Sequence, residues 1–226
     1  MNDRPVRIEG GAVSHARGSV HHPLFARLYA RLAIAADRAG AAEHRHELLE
    51  DLSGRVVEVG AGTGANFAHY PDTVTEVLAV EPEPYMREQA TEAAARVGVE
   101  VRVVPGLDSD LPVSTGWADA AVASLVLCSV SDLDVALAEM HRVVRPGGEL
   151  RFYEHVRSSD PRSARWQERL DVFWPYLFGG CHTSRDTAAA ISSAGWSIDQ
   201  QRDFSFGQGR GPNPVAPHTI GRAVRD

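Results

Sequence analysis

The chain has 226 residues, a formal net charge of −7 and 43% hydrophobic residues, which suits one domain with one sizeable core. The acidic balance argues against a nucleic-acid partner, and no apolar run approaches the roughly 20 residues of a membrane span. The first residues lack the apolar centre of a signal peptide. We therefore expect a cytoplasmic protein without stable membrane insertion.

Two stretches precede the first predicted strand. Residues 1–21 are polar and show no clear period, so we expect a mobile arm. From Leu24 to Leu32, leucines recur at helical spacing. Gly40 is expected to end this helix, and a second short helix follows it. We expect residues 22–53 to form a helical lid.

Strand-like and helix-like stretches alternate from residue 55 to residue 155. The strand-like runs are short, apolar and not strictly alternating, which fits strands that are buried on both faces of a sheet. Such alternation is typical of a parallel sheet with crossover helices. The stretch between the first two strands, up to Tyr70, is expected to be helical.

The last third of the chain has a different pattern. Residues 156–195 contain helical stretches, one of which, 161–178, places several large rings on one face. Residues 196–226 hold two strand-like runs with no helix between them, so this terminal strand pair is expected to be antiparallel. The whole chain is expected to fold as a single domain, with the 156–195 helices on the substrate side.

The strongest local signal is the segment EVGAGTG, residues 58–64, where a strand meets the next stretch. Glycine tolerates unusual backbone angles and lets a ligand approach the backbone closely. The loop alone does not name the ligand, because Gly60-x-Gly62-x-x-Ala65 also satisfies the dinucleotide fingerprint. Glu81, at the end of the next strand, can accept two hydrogen bonds from a ribose diol in either ligand class.

The wider pattern resembles one family. The order of GAGTG, Glu81, GLDSDLP, DAAVASLVLCSV and HRVVRPGGELRFYEH is similar to that of class I S-adenosylmethionine-dependent methyltransferases over residues 55–155. The segments LVLCSV, FYEHV and GGCHTSRDT resemble a branch that contains thiol S-methyltransferases. The resemblance implies an α/β Rossmann-like fold. Its central seven-stranded sheet is expected to be mostly parallel, with an antiparallel C-terminal strand and helices on both faces.

The resemblance also implies a site for S-adenosylmethionine. Glu81 matches the ligand of the ribose diol, and Met86 is expected to cover the adenosine, with ordinary packing as its alternative. Asp108 lies in the adenine-edge segment, although the family's usual residue order is shifted there. The residues assigned to the cofactor are Glu58, Gly60, Ala61, Gly62, Gly64, Glu81, Pro82, Met86, Leu107, Asp108, Ser124 and Leu125.

The methyl acceptor should lie over the carboxyl ends of the strands, as ligands do in open α/β sheets. His155 ends the fifth strand and is the candidate general base, with a structural role as the alternative. Candidate substrate-binding residues, each with packing or capping as its alternative, are Tyr29, Cys128, Trp174 and His182. The aromatic content suggests an apolar or aromatic small molecule with an O, S, N or C nucleophile, a thiol among them.

The cysteines and histidines are also candidate metal ligands. Cys128 and Cys181 lie in no C-x-x-C motif. Together with His155 and His182 they have the composition of a zinc site, but no short ligand spacing supports one, and no metal is expected.

Two other functions remain open at the level of sequence. One is an NAD(P)-dependent oxidoreductase that uses the same glycine loop. The other is a methyltransferase-like binding module that does not catalyse transfer. A homodimer through the terminal strand pair or the N-terminal arm is also an expectation.

Overall fold

The computed structural model describes residues 27, 30, 32, 33, 35–207 and 213–226. Within them, seven strands form one sheet. The strands are β1 (Gly54–Val59), β2 (Val74–Val80), β3 (Val101–Val104), β4 (Ala118–Ser124), β5 (Val144–His155), β6 (Trp196–Ser205) and β7 (Pro217–Arg225).

The strand order is β3-β2-β1-β4-β5-β7-β6. The first five strands pair in parallel, and β7 pairs antiparallel with both β5 and β6. The predicted fold class, including the antiparallel C-terminal strand, is therefore confirmed. The chain runs outward from β1 to β3 on one side and continues through β4 on the other. This reversal opens a crevice at the carboxyl ends of β1 and β4, where open α/β sheets bind ligands.

Helices cover both faces of the sheet. They are α1 (Ala42–Leu49), α2 (Pro84–Ala94), α3 (Leu133–Val143), α4 (Pro161–Leu170), α5 (Trp174–Leu177) and α6 (Thr187–Ser193). On one face, Leu137 and Ile191 from α3 and α6 join a buried core cluster. On the other face, Leu49 and Ala90 from α1 and α2 join a second cluster. Apolar burial of this kind is the main favourable term that holds helices to a sheet.

The second half of the expected N-terminal lid is not a separate element. This half, α1, packs on the sheet, because Leu48 and Leu49 are almost completely buried. A π-helical turn, Asp37–Ala41, precedes α1, and Gly40 kinks the chain there with a φ of 116°. Leu24 and much of the predicted first helix lie outside the described residues, whereas Leu32 is helical and 52% exposed.

The segment after the glycine loop is not the expected helix. It consists of turns followed by a short 3-10 turn, Phe67–His69. Gly60, Gly62 and Gly64 have φ values of 66°, 57° and 79°, and a right-handed helix cannot continue through left-handed residues. Too few residues remain before the extended Tyr70 for a regular helix.

The predicted ring-rich helix 161–178 is also interrupted. Its two parts, α4 and α5, are separated by a turn at residues 171–173. The Asp171 carboxylate accepts hydrogen bonds from the Thr183 and Ser184 N–H groups at 2.7 and 3.2 Å. Pro175 lies in the first turn of α5 and has no N–H to donate to the carbonyl four residues earlier. The large rings therefore do not lie on one continuous helix.

Across the described part of the chain, no helix combines the length and the apolar content that crossing a membrane requires.

Candidate active site

The glycine loop follows β1, and the space beside its backbone at Gly62 is open. A Cβ atom at Gly60 would overlap the Val126 side chain, and one at Gly64 would overlap Phe67. A Cβ at Gly62 would meet nothing within 4 Å. Gly60 and Gly64 are thus needed for packing, whereas Gly62 leaves an open space against the backbone, where a ligand can lie.

Glu81 holds the glycine loop to the end of β2. One oxygen of its carboxylate accepts from the Gly62 N–H at 2.9 Å, and the other accepts from the Glu83 N–H at 2.9 Å. The Ala61 N–H also donates to the Val80 carbonyl at 3.2 Å. Burial raises the pKa of Glu81, and the two N–H contacts act against this rise. A carboxylate has about four acceptor sites, so capacity remains for a diol beside Gly62.

Glu58 lies beneath the loop and is bonded entirely within the protein. Its carboxylate accepts from the Asn66 amide at 2.9 Å and from the Tyr70 hydroxyl at 2.7 Å. Burial raises the pKa of Glu58 to about 7, against the lowering effect of these two hydrogen bonds. The arrangement favours a role in orienting the loop.

Arg45, on α1, joins this network and was not singled out by the sequence. It is 6% exposed. Its guanidinium donates to Asp37 at 3.0 Å, to Asn66 at 2.8 Å and to Ser124 at 3.1 Å. One side chain therefore ties the N-terminal segment to the glycine loop and to the end of β4. Its position among other charged helical residues offered no signal.

The remaining cofactor candidates lie beyond β2 and β3. The Pro82 carbonyl accepts from the Arg87 guanidinium at 2.7 Å, and Met86 is 9% exposed on the first turn of α2. Leu107 forms an isolated bridge in the loop after β3. Beside it, burial raises the pKa of the Asp108 carboxyl.

Leu125 follows Ser124 at the carboxyl end of β4 in an unusual backbone conformation. Its φ is 58°, and it is the single non-glycine residue with positive φ in the part of the chain that the structure describes. Its N–H donates to the Tyr153 carbonyl at 2.7 Å, which holds it in place. Such strain concentrates at functional sites, and the role of Ser124 and Leu125 in cofactor binding stays a prediction.

These features fit S-adenosylmethionine. The open backbone at Gly62 accommodates a ligand that a side chain would displace. The buried Glu81 carboxylate at its edge suits a ribose diol. Ser124 and Leu125 lie at the end of β4, on the other side of β1 from Glu81.

His155, Cys128 and Cys181 come together on the acceptor side of the crevice. The Nδ1 atom of His155 lies 3.7 Å from the Sγ atom of Cys128 and 3.7 Å from that of Cys181. Both thiols are free and buried. Burial disfavours the charged ring, but the hydrogen bond and charge of Cys128 together with the charge of Glu154 outweigh it and raise the pKa of His155. Three of the four residues that were considered for zinc thus form one cluster, although their spacing gave no sign of it.

The fourth of these residues, His182, points elsewhere. Its Nδ1 atom lies 3.7 Å from the Asp171 carboxylate, while its backbone N–H donates to the Cys128 carbonyl at 2.7 Å. Trp174 stacks on Phe178 with ring centroids 3.9 Å apart. Tyr29 lies outside the described residues.

A group of rings beside His155 was not identified from the sequence. His218 lies directly opposite His155 in the β5–β7 ladder, with ring centroids 4.7 Å apart. Tyr153 and Phe204 stack on His218 at 5.3 and 5.6 Å. Burial, with His155 as a smaller cause, lowers the pKa of His218 to about 3, so that this ring is neutral. His155 and His218 are far apart in the sequence, and the sequence alone does not show which residues pair across two strands.

A cavity of about 610 Å³ opens at the same edge of the sheet. It lies between α4, α6 and the adjoining ends of β6 and β7, and Trp166, Gln167, Arg185, Phe204 and His218 are among its lining residues. This volume is within the range of small-molecule sites, about 300–1,000 Å³. At the edge of the sheet where the parallel strands end, a cofactor crevice therefore lies over β1 and β4. A cavity lies at the same edge over β5, β7 and β6.

Comparisons with known proteins agree with this geometry. Residues 57–152 match a family model described as a methyltransferase domain. The chain is 34% identical to thiol S-methyltransferase TMT1B of Rattus norvegicus over 192 residues, 78% of this chain and 75% of that protein. It is 35% identical to human thiol S-methyltransferase TMT1A over 200 residues, 81% and 79% of the two chains.

A solved structure of geranyl diphosphate methyltransferase in complex with SAM has the same fold, with a TM-score of 0.65 and 18% identity over 96% of both chains. These relatives are methyltransferases, which favours methyl transfer over dinucleotide chemistry as the use of the glycine loop. S-adenosylmethionine is accordingly the cofactor, and a small molecule is the acceptor. The chain belongs to the class I S-adenosylmethionine-dependent methyltransferases, in the branch of the thiol S-methyltransferases TMT1A and TMT1B.

Proposed function

We propose that this protein methylates the sulfur of a small apolar or aromatic thiol. The proposal is supported by the names of its relatives, which are thiol S-methyltransferases. The observation that carries it is the placement of the cavity beside His155, at the same edge of the sheet as the Gly62 backbone.

The cofactor half of the site uses backbone and carboxylate groups. Gly62 leaves room for the methionine part of the cofactor, and Glu81 accepts from the ribose hydroxyls. Glu58 and Arg45 hold the loop and the β4 end in place. When bound, S-adenosylmethionine supplies an electrophilic methyl carbon that needs no further activation.

The acceptor half is a partly apolar cavity with aromatic walls. Trp166 and Phe204 can pack against an aliphatic or aromatic body, and His218 is neutral there. Alignment of reactants can lower a barrier by about 7–11 kcal/mol in favourable intramolecular models. A thiol, with a pKa near about 8.5, needs less help to lose its proton than a phenol near about 10.

A matched set of acceptors tests the proposed substrate. Benzenethiol, phenol and aniline share one ring and differ in the nucleophilic atom. We expect S-adenosylhomocysteine and the methyl thioether to form with benzenethiol, at a kcat/KM well above that for the other two. Faster turnover of phenol or aniline would contradict the proposal.

A pair of tryptophan variants tests the cavity. Trp166 lines it, whereas Trp117 precedes β4 at the opposite edge of the sheet and packs on Arg55. Both tryptophans are partly exposed. We expect Trp166→Ala to raise the KM for benzenethiol and Trp117→Ala to leave it unchanged. Equal KM values for the two variants would argue against this cavity as the acceptor site.

The cytoplasmic location and the homodimer remain proposals. Cell fractionation tests the first, and light scattering from the purified protein tests the second.

A further inference from the structure

The cluster of Cys128, His155 and Cys181 has the spacing of a metal site. The two sulfur-to-nitrogen distances are both 3.7 Å, and all three ligand atoms lie within 4.8 Å of one another. In a tetrahedral site with Zn–S near 2.3 Å and Zn–N near 2.0–2.1 Å, neighbouring sulfur and nitrogen atoms are about 3.6 Å apart. Two sulfurs are about 3.8 Å apart in the same geometry. The side chains would need only small movements to bind one ion.

The backbone holds the two cysteine-bearing loops together without any ion. The Cys128 carbonyl accepts from the His182 N–H at 2.7 Å. The Arg185 guanidinium donates to the carbonyls of Leu127 and Val130, on either side of Cys128. A Cβ atom at Gly180 would lie 2.9 Å from the Ser129 carbonyl oxygen, so only glycine permits this approach. The ligand atoms are therefore preorganised.

The surrounding charges suit a divalent cation with two thiolates. The buried Glu154 carboxylate accepts from the N–H groups of Val126, Leu127 and Cys128 at 2.9 to 3.2 Å. Arg185 contributes one positive charge beside the thiols. Before the acceptor binds, two thiolates, one carboxylate, one guanidinium and a divalent cation sum to zero, which limits the cost of burying the charges.

The choice of metal follows from the ligands. Thiolate with imidazole suits zinc, and catalytic zinc sites have three protein ligands with a fourth position left for water or substrate. His218 contacts His155, and Arg185 donates to the Leu127 carbonyl next to Cys128. Both residues line the cavity described above, so an acceptor in that cavity lies near the cluster.

We propose that Cys128, His155 and Cys181 bind one zinc ion, and that the sulfur of the acceptor takes the fourth position. The part of this proposal that concerns the acceptor sulfur rests on the proposed thiol substrate. On binding, the S–H bond of the acceptor breaks, its proton passes to solvent, and the sulfur electron pair replaces a water on zinc. Coordination through Nδ1 occupies the lone pair that His155 would need as a base at that nitrogen.

The first experiment measures metal content. The full chain is produced without a metal-binding tag, dialysed against a weak chelator and analysed by elemental mass spectrometry. We expect one zinc per chain in the wild type, and a large loss in Cys128→Ser and in Cys181→Ser. His182→Ala is the matched control, because His182 adjoins Cys181 but its ring faces Asp171; it should keep its zinc.

Retained binding of S-adenosylhomocysteine shows that the serine variants are folded. Zinc far below one equivalent in the wild type would overturn the proposal. Equal zinc in the wild type and in both serine variants would overturn it as well.

The second experiment follows the fourth ligand. Cobalt replaces zinc in the wild type, and the thiolate-to-cobalt absorption band reports the number of Co–S bonds. We expect benzenethiol to increase this band and phenol to leave it unchanged. An unchanged band with both compounds would overturn the assignment of the acceptor sulfur to the metal.

Failure of this inference is distinguishable from failure of the proposed function. Turnover of benzenethiol by a chain that binds no zinc would refute the metal site alone. A cobalt band that responds to benzenethiol without any turnover of thiols would refute the proposed activity alone.

Discussion

The Glu81 carboxylate accepts a hydrogen bond from the Gly62 N–H at 2.9 Å, and this contact joins the end of β2 to the glycine loop. Because the other oxygen of Glu81 accepts from the Glu83 N–H, the carboxylate is held in one orientation before any ligand binds. The residue that is predicted to bind the ribose therefore also shapes the loop that is predicted to bind the methionine part.

Removal of the Glu81 carboxylate should weaken cofactor binding strongly. Each hydrogen bond to a charged group contributes about 1.5–3 kcal/mol, so loss of two should weaken binding by roughly 100-fold or more. Calorimetric titration of Glu81→Ala with S-adenosylhomocysteine checks this expectation. Glu76→Gln is the control, since Glu76 lies on β2, the strand that Glu81 follows, but pairs with Arg102. Wild-type affinity in Glu81→Ala would show that this carboxylate does not bind the ribose.

Gly62→Ala should keep the fold and lose the cofactor. The added methyl group meets no protein atom, and the left-handed backbone costs about 1–2 kcal/mol. Gly116→Ala is matched to it, because Gly116 has a φ of 68° and ample space but lies away from the crevice. We expect similar falls in melting temperature for both variants and weaker binding of S-adenosylhomocysteine only for Gly62→Ala. Equal affinity in the two would place the cofactor elsewhere.

Glu58 should make stability depend on pH. Its pKa is raised from 4.5 to about 7 by burial, against the hydrogen bonds from Tyr70 and Asn66 and the charge of Arg45. Between pH 4.5 and about 7, the folded protein thus binds more protons than the unfolded chain. The resulting stability, about 3 kcal/mol, is fully present below pH 4.5 and is lost as the pH rises through about 7.

The measurement for this prediction is denaturant unfolding from pH 4.5 to pH 8, carried out on the wild type and on Glu58→Gln. The difference between them isolates Glu58 from the other buried carboxyls. The variant should lose much of the pH dependence, whereas Glu92→Gln, on the exposed side of α2, should keep it. A variant that retains the full slope would assign the pH dependence to other groups.

His155→Ala should slow turnover while leaving the cofactor bound. Its ring contacts Cys128, Cys181 and His218 rather than the glycine loop. We expect kcat to fall by about 100-fold or more with an unchanged affinity for S-adenosylhomocysteine. His141→Ala, on α3 beside Trp196, is the control and should turn over normally. Unchanged kcat in His155→Ala would exclude a part in the reaction.

The cofactor half of the candidate site could be predicted from the sequence because its signals are local. EVGAGTG and Glu81 each lie where a strand ends, and parallel strands bring their carboxyl ends to one edge. The contact between Gly62 and Glu81 spans 19 residues but follows directly from the pairing of β1 with β2. The roles of these residues in binding stay predictions until they are measured.

The contacts that escaped prediction are those set by distant parts of the chain. Arg45 bonds to Ser124, 79 residues away, and no pattern in α1 indicates this. Cys128 and Cys181 meet His155 from 27 and 26 residues away, so the cluster has no short spacing. The break between α4 and α5 likewise depends on Asp171 and its partners 12 and 13 residues later.

The conformation of Leu125 lowers the stability of the folded protein but keeps the end of β4 in one conformation. A leucine with a φ of 58° stores strain that a glycine would release, at a cost of about 1–2 kcal/mol to the folded state. Folding alone would therefore favour glycine at this turn. A glycine would also let the end of β4 relax into other shapes, and the crevice would then have to be ordered by each incoming ligand. With leucine at this position, the end of β4 is already ordered before a ligand binds.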